Sequence, residues 1–415
     1  MTTEDASPGL RLFEGFGVEL EYMLVDADTL RVLPISDRVL CVDGRIENEV
    51  ERGDISWSNE LVLHVIELKT TEPSPTLQGL SSRFQRSTAE LAALLEPHHA
   101  RLLPSAMHPL MDPARETKLW SHDSQEIYET FDRIFDCRGH GWSNLQSVHL
   151  NLPFQGDEEF GRLHAAIRLL LPLLPALAAS SPLQEGRLAP AKDARLLHYA
   201  NNCRRLPIVT GRVTPEPLFD RASYEREVLA PIADAVAPFD TDGVLEAEWV
   251  NARGAIARFV RDSIEIRVID VQEQPHADLG ILQLAVFVLQ GLVQRGATSF
   301  ELQKSFTVDE LDAIYQGTVR EAGDARIGSE RYLQALGIRA GAATAADVWR
   351  RLCDEASRAG VLGSDEASAL DVILSRGALA KRILEAAGPS LNPADIVATY
   401  KALSQCLLDA RSFLP

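Results

Sequence analysis

Four segments ahead of residue ~300 alternate apolar and polar residues with a period of two, as strands with one buried face do. In GVELEYMLV (17–25), Val18, Leu20, Tyr22 and Leu24 share one face, and Glu19 and Glu21 share the other. ELVLHVIELKT (60–70) places Glu67 and Lys69 together. Glu60 has the opposite parity, so it joins them only through a bulge or from the loop entering the strand. LQSVHLNLPF (145–154) sets Ser147, His149 and Asn151 opposite Val148, Leu150 and Leu152. SIEIRVIDV (263–271) sets Glu265 and Arg267 opposite Ile264, Ile266 and Val268, and GAIARFV (254–260) is its expected hairpin partner across Arg261-Asp262-Ser263. Two apolar runs, 163–179 and 279–293, lie between and after these segments. The first is interrupted by Arg168, Pro172 and Pro175. The second is short of the about 20 residues that a bilayer requires, so both read as buried core helices. From about residue 300 the pattern is helical and charged. Thr344-Ala-Ala-Asp347 predicts a capped helix start, and Asn392-Pro393 predicts an N-cap followed by the first helical residue. The expected fold is therefore α+β, an antiparallel sheet with helices on one side, in a catalytic region over 1–300 with a helical region over 301–415 packed on it.

The second face of these strands is unusual. A strand facing solvent carries a neutral mixture of polar residues, and Glu is depleted in strands. Here that face repeatedly carries Glu, with one His and one Arg. Any one such strand is most often plainly solvated, but four in one chain imply a polar cleft lined by the open face. If Glu19, Glu21, Glu60, Glu67, His149 and Glu265 converge there, the carboxylates cannot all stay ionised alone. Two unit charges 4 Å apart repel by about 4 kcal/mol at an effective dielectric of 20. Oxygen ligands with one imidazole suit Mg2+ or Mn2+ better than Zn2+. Arg267 and Lys69, on the same faces, are placed to meet phosphate oxygens. Arg195, Arg204 and Arg205 are candidates for gripping a substrate carboxylate.

Composition narrows the field. Asp and Glu number 60 against 41 Lys and Arg, a net charge of −19. With no basic run, that excludes nucleic acid and anionic membranes as natural partners. The five cysteines are odd in number and lack CxxC spacing, which argues against a disulfide framework or a Cys-rich zinc site. The N-terminal ten residues have neither a basic nor an apolar segment, so no signal peptide is read there, and the cytoplasm is the expected compartment. No P-loop, HExxH or GxSxG motif occurs, and both near-matches to GxGxxG fail at the third glycine. Any nucleotide must therefore lie on a sheet rather than in a glycine loop.

GVELEYMLVD, ELVLHVIELKT, SVHLNLPF and IEIRVIDVQ, in this order, resemble the glutamate–cysteine ligase family, its type-2 carboxylate–amine ligase branch. LPALAASSPLQEG (174–186) resembles the helix and turn that this family places after its His-bearing strand. The resemblance covers about residues 15–295. It implies a curved antiparallel sheet with helices outside, related to the catalytic domain of glutamine synthetase. It also implies ATP and Mg2+, which phosphorylate a carboxylate, commonly the γ-carboxylate of glutamate, before an amine displaces phosphate. By motif, Glu19, Glu21, Glu60, Glu67, His149 and Glu265 would hold metals, and Arg267 would contact the ATP phosphates. Many members carry a second His where this chain has Ser147. The segment 193–217 matches no family pattern, which leaves the acceptor open. The expected partners are small molecules, with homo-oligomerisation left open. The expected activity is γ-glutamylcysteine formation. The rival readings are the same chemistry with another amine, a metal-dependent hydrolase, or a binding module that has kept the fold.

Overall fold

The computed structural model describes residues 9–296 and 298–415. Eight strands make one sheet: β1 (Gly17–Asp26), β2 (Glu49–Arg52), β3 (Ile55–Asn59), β4 (Val65–Thr70), β5 (Ala100–Leu103), β6 (Ser147–Pro153), β7 (Ala255–Arg258) and β8 (Ser263–Asp270). Their order is β7-β8-β6-β1-β4-β3-β2, with β5 beside the far end of β1, and every pairing is antiparallel. The expected hairpin of β7 and β8 forms, turning through a left-handed Asp262. The stretch 60–70 is not one strand. The chain leaves β3 at Asn59, crosses a connector, and starts β4 at Val65.

Helices α1 (Leu80–Leu95), α2 (Gln125–Phe135), α3 (Gly156–Leu170), α4 (Ala194–Tyr199), α5 (Pro275–Val293), α6 (Ala345–Arg358), α7 (Leu379–Ala387) and α8 (Pro393–Asp409) matter most here. One side of the sheet is sealed by α1, α3 and α5. Val18, Leu20, Tyr22 and Leu24 of β1 join Ile66, Leu68, Val148, Leu150, Leu152, Ile264 and Ile266 in one core with Phe84, Leu163 and Leu282 from those helices. Each such side chain contributes about 1.5–3 kcal/mol on burial. Gly156–Ala178 and Pro275–Val293 are long and apolar enough to cross a membrane, but 94% and 83% of the most apolar 18-residue stretch of each is buried inside the protein. Both therefore serve the core, as the sequence pattern predicted.

The other face changes character along β1. Glu19 and Glu21 face a cleft, whereas Met23 and Val25 are covered by Ile383, Ile396, Tyr400 and Leu403 of α7 and α8. The C-terminal helices thus close one end of the open face. Both predicted caps form. Thr344 and Asp347 make a reciprocal capping box at α6, and Asn392 caps α8 by accepting from the Ala394 N–H. The region beyond 300 also holds a minimal hairpin, Arg326–Ile327 with Ala343–Thr344, that the helical pattern did not reveal.

Candidate active site

Register brings the polar positions together. Glu19 on β1 lies opposite Lys69 on one side and His149 on the other, and Glu21 lies opposite Glu67. Glu60 enters from the connector after β3, the loop route that its parity required. Two groups result. Glu19, Glu67 and His149 each offer a ligand atom within 4.8 Å of the others, and so do Glu21, Glu60 and Glu67. Glu67 is common to both.

The side chains are tightly connected. His149 Nδ1 lies 2.7 Å from Glu19 Oε2, and its Nε2 lies 2.9 Å from Ser147 Oγ. Ser147 donates to Glu21 from both its backbone N–H (2.7 Å) and its hydroxyl (3.0 Å). Asn151 donates to Glu19 at 3.1 Å, and Ser58 donates to Glu67 at 2.8 Å. Lys69 Nζ lies 2.8 Å from Glu49 and 3.6 Å from Glu67.

Crowded charge sets the electrostatics. Burial, with Glu19 and Glu21 nearby, pushes the Glu67 carboxyl up to about 8. Burial, with Glu21 and Glu67, raises Glu60 well above the carboxylate range. Burial also opposes ionisation of Glu19, but the hydrogen bond and charge of His149, with Lys69, together outweigh it and lower that carboxyl. His149 is raised in return, against its own burial, by Glu19 and Glu21. Burial and crowding thus favour the protonated forms of Glu60 and Glu67. This oxygen-rich set with one imidazole fits one or two divalent cations of the Mg2+ or Mn2+ kind.

Glu265 behaves differently. Arg258 grips it through Nε and Nη2 at 2.9 and 2.8 Å. Arg267 Nε lies 2.8 Å from its other oxygen, although that N–H is aimed elsewhere. Burial works against ionisation, yet Arg267 and Arg258 hold the carboxyl down to about 2. It stands 3.9 Å from His149 Nδ1 and belongs to neither ligand group. Glu265 thus stands beside Glu19 and His149 at the edge of the ligand groups, with two guanidiniums neutralising its charge.

The arginine candidates separate. Arg195, on α4, is buried and lines the cleft. Its Nε donates to Asp270 at 2.5 Å and its Nη1 to the Arg267 carbonyl at 3.2 Å, while its Nη2 has no partner. Arg204 and Arg205 do not reach the cleft, which corrects that expectation. Both are exposed, and Arg205 instead caps the end of α2 through the Arg133 and Ile134 carbonyls and lies over Phe239. The histidines outside the ligand groups are mostly structural. His64 bonds the Ser143 carbonyl and His108 the Leu30 carbonyl, each at 2.7 Å. His122 pairs with Asp37. All five cysteines are free.

Some site residues escaped the sequence pattern. Asp270 has the parity of the core face, but β8 bulges between Ile266 and Ile269 and turns it to the side of Ser147. There it accepts from Ser180, Ser181 and Arg195. Glu49 arrives from β2, whose short EVER run gave no sign of a cleft role. Trp142 packs against the core and also lines the cleft.

The cleft has two chambers of about 510 Å3 each, joined at Glu49, Lys69 and Arg261. One holds Glu21, Glu60, Glu67, His149, Arg195 and Arg267. The other is lined by Gly15, Gly17, Glu19, Thr70, Thr71, Asn151 and Ser263.

Residues 15–397 match the profile of Glutamate-cysteine ligase family 2, so the match runs about 100 residues past the motif-bearing part and into the helical tail. A protein of Archaeoglobus fulgidus with no assigned function is 34% identical over 304 residues, 73% of this chain and 80% of that one. A protein of Rubrobacter xylanophilus, provisionally named glutamate–cysteine ligase 2-3, is 28% identical over 41% of this chain and 44% of its own. Among solved structures, the glutamate–cysteine ligase of Francisella tularensis in complex with AMP superposes with a TM-score of 0.59 at 12% identity, covering 96% of this chain and 90% of that one. The bifunctional glutathione synthetase of Pasteurella multocida gives a TM-score of 0.53 at 14% identity, over 95% of this chain and 52% of that one. These two likenesses establish a shared fold.

Proposed function

This chain belongs to glutamate-cysteine ligase family 2, a family of ATP-dependent ligases, and from that premise we propose that it joins the γ-carboxylate of glutamate to an amine through an acyl phosphate. Cysteine is the acceptor that the names of its relatives supply. The observation that carries the reading is Glu67, shared by the two ligand groups and 3.6 Å from Lys69, one of the residues at the seam where the two chambers join. A nucleotide in one chamber and a carboxylate in the other would meet at that seam. The AMP complex of the Francisella protein supports nucleotide use.

A carboxylate is a poor electrophile because its leaving group would be oxide. In the proposed path a carboxylate oxygen attacks the γ-phosphorus of ATP, the bond to the β–γ bridging oxygen breaks, and ADP leaves with the electron pair. The amine nitrogen then attacks the acyl carbon, the C–O bond to phosphate breaks, and phosphate departs, taking up the proton that nitrogen sheds. Mg2+ held by Glu19, Glu67 and His149 and by Glu21, Glu60 and Glu67 would supply charge neutralisation on the phosphates. Arg267 would stabilise charge on the transferring phosphoryl group, with Lys69 at its flank. Arg195, fixed by Asp270 and with Nη2 unpaired, would hold the α-carboxylate of the carboxylate substrate. Glu265 would act through Arg258 and Arg267, keeping both in place. No protein nucleophile is required. The test is ADP release assayed with glutamate alone, amine alone and both together. Release that needs both supports the reading, and release without an amine promotes a hydrolase.

A further inference from the structure

We propose that the acceptor is an amine carried on a flat apolar group, an arylalkyl amine, in preference to the small polar body of cysteine. The inference rests on the ligase reading above and specifies the acceptor side of the same cleft.

The chamber that contains Arg195 has an apolar wall. Helix α2 turns Ile127, Tyr128 and Phe131 into it, positions that share one helical face, and Trp142, Tyr199 and Trp249 complete the lining. Phe131 and Trp142 meet edge to face, 5.6 Å between ring centroids. Three of these residues already have partners for their polar atoms. Tyr128 Oη accepts from Asn59 at 2.8 Å, Trp142 Nε1 donates to the Asn202 carbonyl at 3.1 Å, and Tyr199 Oη donates to the Arg253 carbonyl at 3.4 Å. What they present to a ligand is ring surface. Trp249 stands at the wall 50% exposed, a large aromatic face that a bound ring would cover.

A nucleotide base is the other flat group that such a wall would take. It is disfavoured because Arg195 marks this chamber for the carboxylate substrate, and the amine must reach the same acyl carbon. The second chamber, of equal volume, combines Thr70, Thr71, Asn151 and Ser263 with the apolar Leu10, Pro73 and Pro153 and has no aromatic ring among the described residues of its lining, a mixture that suits the base and ribose hydroxyls of a nucleotide. The nucleotide therefore approaches from that side and the amine from the aromatic one. A cysteine side chain would leave most of the ring surface in water.

The test measures ADP release and amide mass at saturating glutamate and ATP, with 2-phenylethylamine, cysteine and glycine as acceptors. The expected kcat/KM is about tenfold or more higher for phenylethylamine than for cysteine or glycine. Trp249→Ala and Phe131→Ala should each lower kcat/KM for phenylethylamine about tenfold and leave the KM for ATP unchanged, and Trp249→Phe should recover most of the loss. Quenching of tryptophan fluorescence by phenylethylamine in the absence of ATP gives a binding readout independent of turnover. A preference for cysteine or glycine would overturn the inference and leave the ligase reading intact. A raised KM for ATP in the wall variants would place the base there and overturn it too. No ADP release from any pair would overturn the ligase reading and this inference with it.

Discussion

Glu67 is a buried carboxyl with Glu19, Glu21 and Glu60 as neighbours, and its burial pushes it up to about 8. Glu67→Gln removes a crowded ionisable carboxyl and keeps the shape. It should therefore leave the metal-free protein as stable as the parent or more so, while lowering ligase activity about 100-fold. Thermal melts in chelator and ADP release in Mg2+ measure the two effects, and a variant that keeps most of its activity would remove Glu67 from the ligand set. Arg267→Lys keeps a charge and loses the planar fork, so it should cost at least about tenfold in turnover. Parent-like turnover would make Arg267 a structural partner of Glu265 alone. Parity in the sequence was enough to put Glu19, Glu21, Glu67, His149 and Glu265 on one face. It did not reveal that Arg258 joins Arg267 in neutralising Glu265, because that depends on a guanidinium's reach across the β7–β8 hairpin. Arg204 and Arg205 looked like Arg195 in sequence, since all three are cations in a segment without periodicity. Only the turn after α4, which swings the later two outward, tells them apart.

Elements were legible where a rule of period or capping applied, as in β1, β6, β8 and the starts of α6 and α8. The failures share a cause: a local break in period. The bulge in β8 reverses the parity of Asp270, and the connector before β4 splits what read as one strand. Helix α3 carries a testable consequence of burial. His164 is fully buried, donates from Nδ1 to the Leu218 carbonyl at 2.7 Å, and stacks on Phe160. Burial and the nearby Arg168 lower it to about 3. It is therefore neutral when folded, whereas in the unfolded chain it protonates near about 6.5. Its contribution to stability is complete above pH 6.5 and is lost progressively as pH falls from there towards 3. His164→Asn keeps a side-chain amide near the carbonyl and removes the titration. Between pH 6.5 and 5 the variant should lose about 2 kcal/mol less stability than the parent, measured by urea unfolding at each pH. Equal losses would show that His164 does not titrate in this window.

At the scale of the molecule, the tail beyond 300 shares one core with the sheet. Arg382 on α7 is buried against Glu273 at 2.6 Å, and the pair also binds the backbone of Phe413 near the chain end. Removing one partner of a buried pair leaves the other uncompensated, at a cost of about 3–5 kcal/mol. Arg382→Met should therefore lower the urea midpoint strongly and loosen α8 over Met23 and Val25, which hydrogen exchange at β1 would register. A near-neutral change would mean that the tail is held by apolar packing alone. The sequence showed these helices but not their seat, because Met23 and Val25 lie on the face that the strand pattern had assigned to the cleft. With that end closed, the carboxylates, Arg195 and Arg267 look into one cleft with two chambers, the arrangement on which the acyl-phosphate account depends. The most direct test follows oxygen. With glutamate labelled by heavy oxygen in its γ-carboxylate, an amine and ATP, one label should appear in the released phosphate for each amide formed. Unlabelled phosphate, released without need of an amine, would contradict the account.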